Sequence, residues 1–119
     1  METRPQLTSL AQCMHIIRPV KDALDVLNGK WKLPILISLR FGIKRFKELS
    51  TDLGAITDSI LAKELKELEG YKLIERKVHS SFPPHVEYAI TEHGLSLKDV
   101  IIALEAWGYT HRMRVFGKK

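Results

Sequence analysis

The sequence predicts a mostly helical α+β fold in which a helix-turn-helix runs directly into a β-hairpin, and three observations carry that expectation. Apolar residues recur at helical spacing from Leu7 to Gly70, the period drops to two between Leu73 and Ile90, and a long apolar stripe returns beyond Thr91. With 119 residues, 45% hydrophobic and 28% charged, the chain fits a single domain with its own core, and its composition argues against intrinsic disorder.

Each element has its own signal. Leu7, Leu10, Ala11 and Met14 stand at i, i+3, i+4 and i+7, one stripe of a first helix over about residues 7–17, behind Thr8 or Ser9 as caps. Pro19 suits the first position of a second helix, where its missing N–H costs nothing. Val20, Ala23, Leu24 and Leu27 continue that helix to Asn28-Gly29. Trp31, Ile35, Leu36 and Leu39 define a third, with Pro34 tolerated in the first turn and Gly42 closing it.

Ile43-Lys44-Arg45 reads as a stub of strand, and Phe46, Leu49 and Leu53 mark a brief helix ended by Gly54. Thr57 is a good N-cap, because its hydroxyl can accept from an unpaired N–H of the first turn. Leu61, Leu65 and Leu68 then form an inward stripe up to Gly70, which places a helix-turn-helix over about residues 46–69. Ile74, Arg76 and Val78 alternate with Glu75, Lys77 and His79, and Val86, Tyr88 and Ile90 alternate with Glu87 and Ala89. These are the strands of a hairpin over about 73–90, joined by Ser80-Ser81-Phe82-Pro83-Pro84, whose prolines exclude a helix. A last helix runs from Thr91 to about Arg112, with Leu97, Val100, Ile101, Leu104 and Trp107 in one stripe.

That order is the winged-helix arrangement, and charge points to what it would bind. Residues 30–77 hold eleven basic against seven acidic residues, and 109–119 add Arg112, Arg114, Lys118 and Lys119 without an acid, whereas 78–108 carry one basic and four acidic residues. A basic middle and tail suit a polyanion such as double-stranded DNA. With the three leucines inward, the opposite face of the Thr57 helix carries Ser59, Ala62, Lys63 and Lys66. In a major groove about 12 Å wide, Lys63 and Ser59 can donate to bases or phosphate, and the Ala62 methyl can touch thymine. Arg45, Lys47, Arg76 and Lys77 are expected to anchor phosphates, and Ser80, Ser81 and His85 lie on the wing that follows the adjoining backbone. The bland alternative is a solvated amphipathic helix, and Asp58 and Glu64 on that helix speak mildly for it.

The residues also carry a resemblance. Asn28-Gly29-Lys30-Trp31-Lys32, Lys44-Arg45-Phe46-Lys47-Glu48-Leu49, Leu65-Lys66-Glu67-Leu68-Glu69, Leu73-Ile74-Glu75-Arg76, Pro83-Pro84-His85-Val86-Glu87-Tyr88 and Thr91-Glu92-His93-Gly94 resemble the HxlR-type branch of the MarR-like winged-helix transcriptional regulators, across roughly residues 18–111. The resemblance implies a bacterial or archaeal regulator, acting as a homodimeric repressor on a pseudo-palindromic operator. Its terminal helices, about 7–17 and 91–112, would build the interface. In some members a small electrophile or oxidant alters the dimer. The long last helix supports a dimer independently, since Leu7, Leu10, Met14, Leu97, Val100, Ile101, Leu104 and Trp107 exceed what a small core can cover. The alternative folds those helices back within one chain.

Two departures stand out. Many members place a cysteine directly before the proline where this chain has Arg18, and its one thiol, Cys13, lies five residues earlier. A redox role for Cys13 competes with inert packing. His85 replaces the usual basic residue of the wing.

Chemistry of other kinds is not signalled. The five histidines show no ligand spacing, and His79 with His85 across the hairpin lacks a third donor, so no metal and no cofactor are expected. No phosphate-binding glycine motif or triad spacing appears, and no enzyme is expected. Without a membrane span or signal-peptide core, the expected setting is the cytoplasm. A winged-helix module that binds protein, its basic surface incidental, is the rival function.

Overall fold

The computed structural model describes residues 9–117, so Leu7, Lys118 and Lys119 lie outside the described residues. Its elements are α1 (Leu10–Val26), α2 (Lys32–Leu39), α3 (Phe46–Leu53), α4 (Asp58–Gly70), β1 (Ile74–His79), β2 (His85–Ile90), α5 (Glu92–Leu95) and α6 (Lys98–Phe116). The core is drawn from the expected stripes: Ile35, Leu36 and Leu39 of α2, Leu49 of α3, Leu61, Leu65 and Leu68 of α4, with Ile56, Leu73, Ile74 and Tyr88. Burying such side chains is worth roughly 1.5–3 kcal/mol each, which is why α2, α3, α4 and the hairpin pack as one unit.

β1 and β2 pair antiparallel, from Ile74 opposite Ile90 to His79 opposite His85. The strand stub is real: Lys44 N donates to Tyr88 O at 3.0 Å and Tyr88 N to Lys44 O at 2.8 Å, so the residues leading into α3 pair with the free edge of β2. Gly54, at φ 73°, makes the turn that ends α3. Thr57 caps α4 as expected, accepting from Ile60 N at 3.3 Å. The C-terminus of α4 closes on Lys72, whose φ of 64° is left-handed, with Leu73 N reaching back to Leu68 O at 3.1 Å and Lys72 N to Glu69 O at 2.9 Å.

Two boundaries differ from expectation. The first two helices are one: α1 passes through Pro19 without a break, starting from a capping box between Ser9 and Gln12. Pro19 lacks the N–H that would reach the His15 carbonyl, and both residues are exposed, so that carbonyl can turn to solvent. The last helix is two: Thr91 caps the single turn α5, and the chain bends at Ser96-Leu97 before α6. Packing sets that bend. A Cβ at buried Gly94 would stand 2.3 Å from Leu73 O and 2.6 Å from Ile90 Cγ1, so α5 is pressed against the sheet, and the Ser96 hydroxyl donates to His93 O.

The terminal helices stand apart from this core. Neither α1 nor α6 buries a single described residue, and the radius of gyration is 17.9 Å, against about 13.5 Å for a compact chain of this length. Near their roots Ala23, Val26 and Leu27 meet Leu73 and Leu97 around an apolar cavity of about 220 Å³.

Candidate nucleic-acid interface

The face of α4 opposite its leucines is exposed. Ser59, Ala62, Lys63 and Lys66 all lie on it, exposed, while Leu61, Leu65 and Leu68 are at most 1% exposed. Glu64 is not part of that face. It is 9% exposed and turned inward, its Oε2 2.7 Å from the Lys32 ammonium. The objection that Glu64 raised against a polyanion partner is thereby removed.

Lys32 is the residue that pattern reading missed. It is 1% exposed, and its three N–H bonds reach Glu64 Oε2 at 2.7 Å, Glu67 Oε1 at 2.7 Å and Asn28 Oδ1 at 3.0 Å. Burial acts to lower its pKa, but the two carboxylates outweigh burial and hold it above the ordinary 10.5. Glu67 falls below its usual range through the same bond. A signal was present: Lys32 stands at i relative to Ile35, Leu36 and Leu39, and Glu64 at i+3 relative to Leu61, so opposite charges occupy the buried stripes of two facing helices. A second cluster braces the start of the helix-turn-helix. Lys44 pairs with Asp52, and Ser38 Oγ donates to Asp52 Oδ2 at 2.8 Å. These bonds, Lys44 first, lower the pKa of Asp52.

The remaining expected contacts are distributed unevenly. Arg45 and Lys47 are exposed at the start of α3, and Arg45 N donates to Glu48 Oε1 at 2.9 Å. Arg76 and Lys77 are exposed, but as neighbours in β1 they point to opposite faces of the hairpin. Lys77 Nζ lies 4.0 Å from Glu75 Oε2. Ser80 is exposed on the wing, and Phe82 at its tip is 100% exposed.

His85 does not project. Its Nδ1 lies 3.1 Å from Ser81 Oγ, and its ring stacks on His79 with centroids 4.6 Å apart. The expectation that this pair lacks a third donor is corrected here, because Glu87, two residues along the same strand face, brings its carboxylate to both rings. Sequence spacing hid the trio, since strand pairing rather than proximity along the chain assembles it.

Of the expected interface residues, Leu10 (77% exposed), Leu104 (48%) and Trp107 (68%) lie bare, as do Met14 and Val100. Ile101 is half-buried. Leu97 differs, packing against the core at the root of α6. Cys13 is a free, half-buried thiol on α1 and is not packed into a core.

No helix of the described residues is long and apolar enough to cross a membrane. Comparison with known proteins matches this geometry. The chain is 43% identical over 98 residues to YtcD, an HTH-type transcriptional regulator of Bacillus subtilis (strain 168), across 82% of this chain and 78% of that protein. The crystal structure of a regulator named ytcD superposes with a TM-score of 0.74 at 42% identity, covering 77% of this chain and 94% of that one. The redox regulator HypR in its reduced form superposes at 0.73 with 37% identity, covering 79% and 93% respectively. With residues 26–116 matching the HxlR-like helix-turn-helix family, and a winged helix-turn-helix as its fold, the chain belongs to that family of DNA-binding transcriptional regulators.

Proposed function

We propose that the chain is a homodimeric repressor that grips a pseudo-palindromic operator, with one α4 entering each of two successive major grooves. The carrying observation is α6: it buries nothing within the protomer, although Val100, Ile102, Leu104, Trp107, Met113, Val115 and Phe116 are all apolar and exposed. Soluble monomers rarely leave so many large apolar side chains bare along one helix, and α1 offers Leu10, Ile16, Ile17, Val20 and Leu24 in the same state. A second copy covers both helices. A twofold dimer also supplies two recognition helices, for half-sites about 34 Å apart along the duplex.

In this reading Ser59, Ala62, Lys63 and Lys66 face the base edges, and Thr57 holds the first turn of α4 in place. Arg45, Lys47, Arg76, Lys77 and the wing serines Ser80 and Ser81 fix the register on phosphates. Repression follows from occupying promoter DNA. In this reading a small electrophile or oxidant acts through Cys13, the half-buried thiol on α1. The protein-binding rival has no observation in its favour that DNA binding lacks.

The test is selection of a duplex from a random pool, followed by gel shifts with Lys63→Ala, Lys66→Ala and the double variant. Log affinity of the wild type falls linearly with log salt. Each single variant loses about 1–3 kcal/mol if its lysine reads a base, with circular dichroism unchanged. A double variant that binds like wild type overturns the assignment of this face.

A further inference from the structure

We propose that His79, His85 and Glu87 form a binding site for a divalent transition-metal ion of the zinc class, at the base of the wing, and that its occupation strengthens DNA binding. The second half rests on the DNA-binding reading above; the first does not.

The register brings the three together. His79 and His85 are direct partners across the two strands, and Glu87 follows His85 by two residues, so all three project from one face of the hairpin. One ligand atom from each lies within 4.8 Å of the others. A tetrahedral ion with bonds near 2.0–2.1 Å spaces its donors about 3.4 Å apart, so the His79–Glu87 pair at 2.6 Å must open by roughly 0.8 Å and the widest pair must close by at most roughly 1.4 Å, adjustments within reach of side-chain rotation. Two imidazoles and a carboxylate suit zinc, nickel, cobalt or copper rather than calcium or magnesium.

The hydrogen bonding points the same way. Ser81 Oγ lies 3.2 Å from Pro83 O and 3.1 Å from His85 Nδ1. In the tautomer that carries its proton on Nδ1, His85 donates to Ser81 Oγ and leaves the Nε2 lone pair for an ion, 3.7 Å from Glu87 Oε2. His79 Nε2 is screened from solvent and makes no hydrogen bond, yet it lies 2.6 Å from Glu87 Oε1. Two nitrogens and a carboxylate thus converge with little hydrogen bonding among them, an arrangement that a cation relieves. The Ser81 hydroxyl plays the part that outer partners of metal-bound histidines commonly play, fixing tautomer and ring orientation.

A bound ion would tie the two strands together just below the projecting loop and convert the net charge of the trio from −1 to +1 with neutral imidazoles. Three protein ligands leave a position open. The ion would add to the attraction for phosphate that Arg76 and Lys77, the latter directly across from Glu87, give the wing without it.

The experiment titrates the full chain with Co²⁺, reading visible ligand-field absorption, and with Zn²⁺ by calorimetry. One ion per chain is expected. His79→Gln and His85→Gln each abolish saturable binding while circular dichroism is retained, Ser81→Ala weakens it about 10–100-fold, and His111→Gln leaves it unchanged. Gel shifts on the selected duplex with and without Zn²⁺ follow, with the log–log salt slope expected to steepen by about 0.9 for each wing that gains a phosphate contact. No saturable binding, or binding that survives loss of both wing histidines, overturns the site. Binding at the site with an unchanged or lower DNA affinity overturns the regulatory half. Metal binding by a protein that holds no DNA supports the site while failing the reading of function.

Discussion

All three N–H bonds of the Lys32 ammonium end on oxygens of neighbouring elements, and the consequence is a charge that cannot be removed singly. Lys32→Met leaves Glu64, 9% exposed, without its counter-charge. A loss of about 3–5 kcal/mol is expected in urea denaturation, and Lys32→Met with Glu64→Leu should recover most of it, because a buried pair replaced by apolar groups of similar volume is often neutral. Acid stability belongs to the same scale. Glu67 and Asp52 are held below their ordinary values of 4.5 and 3.8 by Lys32 and Lys44. A depressed carboxylate contributes stability above its ordinary value and loses it as pH falls through the folded one. The melting temperature should therefore fall on acidification below about pH 4.5, and Glu67→Gln with Asp52→Asn should flatten that fall. The charges were visible in the sequence, but their burial was not, because a lysine at a stripe position looks like an interruption until an acid occupies the matching position on the facing helix.

Elements were legible where local chemistry decides and obscure where packing does. Thr57, Gly54 and the alternation in β1 and β2 are local signals, and the structure follows them. Pro19 also sends a local signal, a helix start, yet α1 runs through it, since an exposed turn tolerates one missing bond. The bend after α5 has no local signal; it arises because Gly94 must lie against Leu73 and Ile90. Gly94→Ala should cost about 1–3 kcal/mol, the usual penalty of overpacking, with thermal unfolding as the readout. An alanine as stable as wild type would show that α5 is not pressed onto the sheet.

At the scale of the whole molecule, α1 and α6 carry the bare apolar surface. Trp107 is 68% exposed and Leu104 48%, so Trp107→Ala or Leu104→Asp removes almost nothing from the protomer's own core. On the dimer proposed above, the wild type should sediment as a dimer and both variants as folded monomers, and a dimer unaffected by both would place the interface elsewhere. The surplus of apolar side chains at the ends of the chain was readable from composition along the sequence. The stacking of Trp107 on His111, 4.9 Å between centroids, follows from their i, i+4 spacing on one helix. The wing trio was hidden, since its residues meet only after the two strands pair.

The backbone bridge between Lys44 and Tyr88 has a bearing on how such a protein changes over evolutionary time. Peptide groups set the distance from wing to helix-turn-helix there, whatever side chains those positions carry. In the proposed binding mode, substitutions at Ser59, Ala62, Lys63 or Lys66 would accordingly alter which sequence is preferred while the docking pose is inherited intact, so new targets would be reachable by single steps without rebuilding the scaffold.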